Sequence, residues 1–330
     1  MNFEKDLREQ ISQLLKEDKV GFNEQDSMCR LLISYLQLLN RGIPIKKRKV
    51  FISDNIEKII KGSKLDEIYI NALLKFKCNF EDGIDMKCHL STNIFYSYIS
   101  VSKKNKKYSK SRDYLLDDWG IYHLHLRDKD VKNKCEMYSD KNDEETGNRS
   151  QYLLFVKVTD NEVYFIDILN HNEKNVFAKQ ELVETLDRNW HSLLEEYNIP
   201  NLLSVSKLTD KEVNNARQNG KYILYNINKK VYIPMGGGLT SVGTNIMHTE
   251  KAEEILDDIE IIEADIKNRF EEIRKQIQKQ EKNYDKRLKL KLQLSTNGYL
   301  ITEINTNYKM LYHIEGNKLG IYYDGFSVIY

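Results

Sequence analysis

Apolar residues recur at helical spacing through the first part of the chain. The stretches Phe3 to Leu15 and Gln25 to Asn40 each carry hydrophobic side chains three and four residues apart, the period of an amphipathic helix. A further helix is predicted for Asp66 to Phe76, after a basic run and a short apolar segment. The pattern therefore predicts a helical N-terminal region over residues 1–76.

The middle of the chain changes to the period of two that is typical of strands. Gly120 to Leu126, Tyr152 to Val158 and Glu162 to Leu169 are predicted strands, and three polar residues between the last two predict a hairpin. An amphipathic helix is predicted for Lys179 to Tyr197. This order predicts a small antiparallel sheet flanked by helices, of class α+β, as a catalytic domain over residues 77–200.

The last region, residues 201–330, begins with short strands and the glycine-rich stretch Gly236 to Thr244. Six isoleucines and Phe270, at alternating spacings of three and four, then predict one long helix over residues 250–286. A helix of that length spans roughly 50 Å, so its apolar stripe is predicted to pack in a core or to form the seam of a homodimer. Strand-like segments between Lys289 and Tyr323 predict a second small sheet.

Composition limits the classes of function. The chain has 330 residues, enough for about two domains. Its 51 Lys and Arg against 50 Asp and Glu leave a net charge of +1, so any contact with nucleic acid must be local. No apolar run approaches the roughly 20 residues of a membrane span, and the polar start does not resemble a signal peptide. We therefore expect a cytoplasmic protein with no membrane partner.

The candidate chemistry begins on the first predicted strand. His123 and His125 alternate with aliphatic residues, which places them on one face beside Arg127. The residues assigned to the opposite face are Ile121, Leu124 and Leu126. His171 closes the strand that runs from Asn161 to Asn170, so pairing of the two strands would bring three imidazoles together.

Three imidazoles suit either proton transfer or metal binding. Histidine changes charge near neutral pH, and three histidines are also a common ligand set for catalytic zinc. Arg127 and Arg149 favour the first use, because fixed cations disfavour a divalent metal and suit a phosphate anion. Cleavage of RNA needs a base, an acid and cations on the phosphate, and two histidines with two arginines supply all four groups. No cofactor is predicted.

Several segments resemble a known group of nucleases. They are Trp119 to Arg127, Arg149, Tyr152 to Val156 and Val163 to His171, within residues 115–197. Together they resemble the strand core of RelE-like and HigB-like ribonuclease toxins and of the wider barnase/EndoU/RelE superfamily.

The resemblance implies cleavage of RNA without a metal. On this analogy the site residues are His123, His125, Arg149 and His171. The expected partners are RNA and an antitoxin or regulatory protein.

Two further segments are weaker candidates for binding. A basic run is predicted either to follow a nucleic-acid backbone, with a tyrosine as a stacking face, or simply to be solvated; it contains Lys103, Lys104, Lys106, Lys107 and Tyr108. The Gly238 to Gly243 spacing matches a phosphate loop but lacks the Lys-Ser/Thr pair, which favours a tight structural loop. His248, just beyond, is an accessory candidate.

The sequence thus favours a metal-independent endoribonuclease of the toxin or phage-defence kind. Two alternatives stay open. One is a metal-dependent hydrolase with His123, His125 and His171 as ligands. The other is a non-catalytic interaction or sensor protein that assembles through the long helix.

Overall fold

The computed structural model describes residues 1–18, 20, 22–62, 64–90, 100–101, 108–109, 113–127, 150–202, 206–280, 287–295, 297–315, 318–323 and 326–329. The helices are α1 Phe3–Glu17, α2 Met28–Arg41, α3 Asp54–Lys61, α4 Glu67–Asp82, α5 Tyr114–Trp119, α6 Glu181–Trp190, α7 Asp210–Gln218, α8 Ile246–Asn268 and α9 Phe270–Gln280. The strands are β1 Lys49–Ile52, β2 Ser100–Val101, β3 Tyr108–Ser109, β4 Ile121–His125, β5 Tyr152–Val158, β6 Glu162–Asn170, β7 Tyr225–Ile227, β8 Lys230–Tyr232, β9 Leu290–Ser295, β10 Gly298–Glu303, β11 Lys309–Glu315, β12 Lys318–Tyr323 and β13 Phe326–Ile329.

The protein is α+β, as the sequence predicts, and it forms two compact units. One unit is residues 37–248, and the other combines residues 1–36 with residues 249–330. This division differs from the three consecutive regions 1–76, 77–200 and 201–330, because the two ends of the chain belong to one unit. No helix in the described part of the chain is both long enough and apolar enough to cross a membrane.

The sheet of the 37–248 unit has the strand order β1-β6-β5-β4. The β5–β6 hairpin predicted from the sequence is present, and Thr159 N donates to Glu162 O at its turn over 2.9 Å. The three strands predicted for this sheet, β4, β5 and β6, pair antiparallel, as expected. The structure adds β1, which was not predicted as a strand and which pairs with β6 in parallel.

Both faces of this sheet are buried. Leu124, Val156 and Phe165 pack in one core with Phe76 and Phe80 of α4. The opposite core receives helices α5 and α6; its members include Trp119, Ile121, Phe155, Leu182 and Leu186. Every residue of β4 is therefore buried, including its histidines.

Ile121 corrects one detail of the predicted pattern. Ile121 lies in the same core as Phe155, the residue that pairs with His123. Leu124 lies in the core on the other side of the sheet. The reason is the period of two, which places the odd-numbered residues of β4 on one face.

The predicted helix over 179–197 is shorter than expected. Helix α6 ends at Trp190, whose backbone angles of φ −145° and ψ 58° leave the helical region. Two short 3₁₀ turns, His191–Leu193 and Glu195–Tyr197, complete the segment.

In the other unit, β9 to β13 form an antiparallel sheet in the order β13-β12-β11-β10-β9. The single helix predicted over 250–286 is instead two helices, α8 and α9, which meet at Arg269. Residues 281–286 lie outside the described residues. The isoleucine stripe is buried within the chain, its members being Ile255, Ile259, Ile262, Ile266, Ile273 and Ile277. A homodimer through these helices, which stays a prediction, would have to use their outward faces.

Candidate functional site

The structure brings the three predicted histidines together. The ring centroids of His123 and His125 are 6.4 Å apart, and those of His125 and His171 are 5.8 Å apart with nearly parallel planes. The sheet produces this grouping, because His171 N donates to Gln151 O over 2.8 Å and so extends the β5–β6 ladder by one residue pair. We call His123, His125 and His171 the histidine cluster.

His123 lies against a carboxylate that the sequence analysis missed. Its Nδ1 is 3.3 Å from Asp113 Oδ2, in a contact that is not aligned as a hydrogen bond. Asp113 cannot easily turn away, since its Oδ1 caps helix α5 by accepting from Leu115 N and Leu116 N, each over 3.1 Å. A proton on Nδ1 of the neutral ring would face this carboxylate, which leaves the lone pair on Nε2.

The protonation of His123 follows from its burial. The residue is 5 % exposed. Burial lowers the pKa of His123, and the negative charge of Asp113 raises it only in part, so the net shift is downward. His123 is therefore neutral at pH 7 and able to accept a proton.

His125 is held in the opposite tautomer. The backbone N–H of Ser150 donates to His125 Nδ1 over 3.3 Å, so this nitrogen carries the lone pair. In the neutral ring the proton then belongs to Nε2. Ser150 is itself buried and its hydroxyl donates to Leu126 O, which fixes the donor beside the end of β4. The two neighbouring histidines thus present one acceptor and one donor on Nε2.

Phe177 borders the histidine cluster. Its ring centroid is 4.8 Å from that of His123 and 6.2 Å from that of His171. It lies in the 3₁₀ turn Val176–Ala178, which packs beside helix α6.

A buried ion pair holds the backbone behind Phe177. Arg217 of α7 is 2 % exposed; its Nη1 donates to Phe177 O and its Nε to Asp118 Oδ2, each over 2.6 Å. The hydroxyl of Tyr225 also donates to Asp118, and the guanidinium lies 4.1 Å from the Trp119 ring centroid. Sequence reasoning missed this network, because Arg217 lies 99 residues from its partner.

Arg127 lies two residues after His125, at the end of β4, and its side chain is partly engaged. One of its Nη atoms donates to the backbone carbonyl of Cys88. A guanidinium has five N–H donors, so this bond is compatible with a contact to an anion. Arg149 and the four lysines Lys103, Lys104, Lys106 and Lys107 lie outside the described residues, as does the side chain of Tyr108 in β3.

Asp167 is a further buried carboxylate near the cluster. In the sheet, Asp167 of β6 pairs with Phe155 of β5, and Phe155 pairs with His123 of β4. Asp167 and His123 are therefore separated by one residue across the strands. Asn55 Nδ2 and Ile168 N donate to it over 3.0 and 2.8 Å. Burial raises the pKa of Asp167 to about 6 against these hydrogen bonds.

The glycine-rich loop is structural. A Cβ on Gly236 would lie 2.6 Å from Gly120 N and 2.8 Å from Asp117 O, so only glycine fits against the end of α5. The amides of Gly236 and Gly238 donate to Asp118 O and Asp117 O over 2.8 and 3.1 Å. These amides are therefore occupied by protein carbonyls, as a tight structural loop requires.

His248, the accessory candidate, belongs to a different polar group. Its Nε2 is 3.2 Å from Asn40 Nδ2. Burial, with the charge of Arg41, lowers the pKa of His248 to about 4. It is therefore neutral at pH 7 and does not contact the histidine cluster through any bond that we observe among the described residues.

Metal binding finds no support in the side-chain arrangement. Among the described residues, no three His, Cys, Asp or Glu side chains are grouped so that they could hold a metal ion. In the cluster, Nδ1 of His123 faces Asp113 and Nδ1 of His125 accepts from Ser150.

Protein-family profiles, curated proteins and solved structures contain no match to this chain. The site must therefore be interpreted from its own chemistry.

Proposed function

We propose that the histidine cluster cleaves RNA by general acid/base catalysis without a metal. The observation that carries this proposal is that Nδ1 of His123 faces Asp113 whereas Nδ1 of His125 accepts from Ser150 N, in two rings whose centroids are 6.4 Å apart. From these contacts we infer that Nε2 of His123 accepts a proton and that Nε2–H of His125 donates a hydrogen bond. A base for the attacking hydroxyl and a donor for the charge that develops on the phosphate both accelerate phosphoryl transfer.

The roles follow from the two tautomers. Nε2 of His123 takes the proton of a ribose 2′-OH, and the 2′-oxygen attacks the adjacent phosphorus. The bond from phosphorus to the 5′-oxygen breaks, and the proton now on Nε2 of His123 passes to that leaving oxygen, while Nε2–H of the neutral His125 ring donates a hydrogen bond to a phosphate oxygen. The products are a 2′,3′-cyclic phosphate and a free 5′-OH, and both imidazoles end in their starting states.

Asp113 and Arg127 support these steps electrostatically. Asp113 stabilises the imidazolium that forms when His123 accepts the proton, as a carboxylate does beside a catalytic histidine. Arg127 supplies a fixed positive charge for the phosphate as negative charge develops on its oxygens. A role in toxin or phage-defence systems in the cytoplasm, with an antitoxin or regulatory partner, is the biological setting that we propose for this activity.

The test is cleavage of end-labelled single-stranded RNA by purified protein in excess EDTA. Wild type is compared with His123→Ala, His125→Ala and the control His313→Ala, which changes a histidine of β11 in the other unit. We expect wild type and the control to cleave, and both cluster variants to lose at least 100-fold in rate, within the range that a proton-transfer group or a hydrogen-bond donor to developing charge contributes.

Two results would count against the proposal. Cleavage by His123→Ala at the wild-type rate would show that His123 is not the general base. Loss of wild-type activity in EDTA, with recovery on adding Zn²⁺ or Mn²⁺, would favour the metal-dependent hydrolase. Replacing the ribose at the cleaved position by deoxyribose should abolish cleavage there, because no 2′-OH remains.

A further inference from the structure

Phe177 is the aromatic residue of a turn whose neighbours are core residues. Val176 and Ala178 are 3 % and 1 % exposed, whereas Phe177 is only half-buried. Its ring packs against the edge of that core and beside the imidazoles of His123 and His171. The ring is less buried than its two neighbours in the turn, so it retains some exposed apolar surface.

The backbone beneath the ring is held by hydrogen bonds on both sides. Asn175, before the turn, adopts a left-handed conformation with φ 55°, and its carbonyl accepts from Ala178 N over 2.8 Å. The carbonyl of Phe177 accepts from the fully buried Arg217 over 2.6 Å. A ring held in this way is preorganised, so a ligand that stacks on it loses little free energy to ordering the protein.

We propose that Phe177 is a binding subsite that stacks one nucleobase of single-stranded RNA beside the phosphate to be cleaved. This inference rests on the proposed ribonuclease function and names part of its substrate recognition. Unpaired bases stack on aromatic side chains in many RNA-binding proteins, and each such contact contributes about 1–3 kcal/mol. Stacking would hold the ribose next to His123, whose Nε2 must reach its 2′-OH.

Binding of RNA that cannot be cleaved tests the subsite without relying on activity. The probe is a labelled single-stranded oligonucleotide carrying 2′-O-methyl groups, and the readout is its dissociation constant from fluorescence anisotropy. Phe177→Leu removes the aromatic face with little change in volume, and Phe177→Tyr retains it. Phe51→Leu is the matched control, since Phe51 stacks on Tyr164 with ring centroids 5.2 Å apart and lies on β1.

We expect Phe177→Leu to weaken binding by about 5- to 160-fold, the range that corresponds to one stacked base. Phe177→Tyr and Phe51→Leu should remain within about twofold of wild type. An oligonucleotide that lacks the base at a single position should bind wild type and Phe177→Leu equally, because the stacking partner is then absent from both complexes.

Several outcomes overturn the subsite. Wild-type affinity in Phe177→Leu would do so, as would an equal loss of affinity whichever base is removed. If Phe177→Leu unfolds, the Phe177→Trp variant replaces it, and no change in its fluorescence at saturating oligonucleotide would refute stacking. If the subsite proposal is wrong, cleavage that depends on His123 should still be observed. If the proposed ribonuclease function is wrong, that cleavage is absent, but the base-dependent binding of the oligonucleotide can still be measured.

Discussion

Replacing Asp113 by Asn separates the electrostatic role of this residue from its structural role. The Asn side chain is also a good helix N-cap, so its oxygen can still accept from the amides at the start of α5. What disappears is the negative charge 3.3 Å from His123 Nδ1. The variant therefore changes the chemistry of the site with little change in the fold.

The distance sets the size of the effect. Two unit charges 3.3 Å apart attract by about 5 kcal/mol at an effective dielectric constant of ~20. This figure is an upper limit for the stabilisation of imidazolium, because the contact is not an aligned hydrogen bond. We expect the rate constant kcat to fall by about 100- to 1,000-fold, or roughly 3–4 kcal/mol.

The assay is steady-state cleavage of RNA from pH 4 to pH 9, with thermal unfolding as the measure of stability. Asp113 raises the pKa of His123 against the effect of burial, so its removal lowers that pKa further. The acidic limb of kcat/KM, where the base becomes protonated, should therefore move to lower pH. Asp66→Asn is the control, since Asp66 is the N-cap of α4 and makes no capping bond with its side chain.

A wild-type rate and an unchanged acidic limb in Asp113→Asn would refute the role of this carboxylate. An equal loss of rate in the control would also refute it, because the effect would then be nonspecific. A fall in melting temperature without a shift of the limb would assign Asp113 to the helix cap alone.

Three further predictions concern the framework of the site. Gly236→Ala should destabilise the fold by about 3 kcal/mol or more, since the added methyl group meets backbone atoms. The control Gly42→Ala adds a methyl group with nothing within 4 Å and should be nearly neutral. Urea denaturation measures both effects. Arg217→Met should cost about 3–5 kcal/mol, because it leaves the buried carboxylate of Asp118 without a cation. Arg188→Met removes an ion pair whose side chains are 45 % and 33 % exposed, and should cost about 1 kcal/mol or less. Similar melting temperatures for the two variants would contradict this ranking. Because burial raises the pKa of Asp167 to about 6, the charge of this carboxyl destabilises the fold above that pH, and the penalty vanishes below its ordinary pKa of 3.8. The stability of Asp167→Asn relative to wild type should therefore rise by about 3 kcal/mol from pH 3 to pH 8, and a difference that does not vary with pH would refute the raised pKa.

The local elements were largely predictable from the sequence. Strand β5 begins and ends at the predicted residues, and β6 extends one residue further. Their hairpin was predicted because the turn connects neighbours in the chain. The alternation along β4 placed His123 and His125 on one face, and His171 at the end of β6 did come close to them.

The environment of each histidine was not predictable in this way. Asp113 and Ser150 determine the tautomers of His123 and His125, and neither stood out as a site residue in the sequence. The parallel partner of β6 is β1, which precedes it by more than a hundred residues. Arg217 joins the site through the carbonyl of Phe177, a bond that carries no sequence signal at either residue.

The sequence by itself determined most of the secondary structure and the chemical types available for a site, because side-chain spacing and backbone geometry act over a few residues. The tertiary structure decided which polar groups became buried together. It thereby decided that His123 is neutral beside Asp113 and that Asp167 has a pKa of about 6, and it made the isoleucine stripe an internal core. These properties depend on desolvation and on charges only a few ångströms away, which the folded chain alone brings into contact.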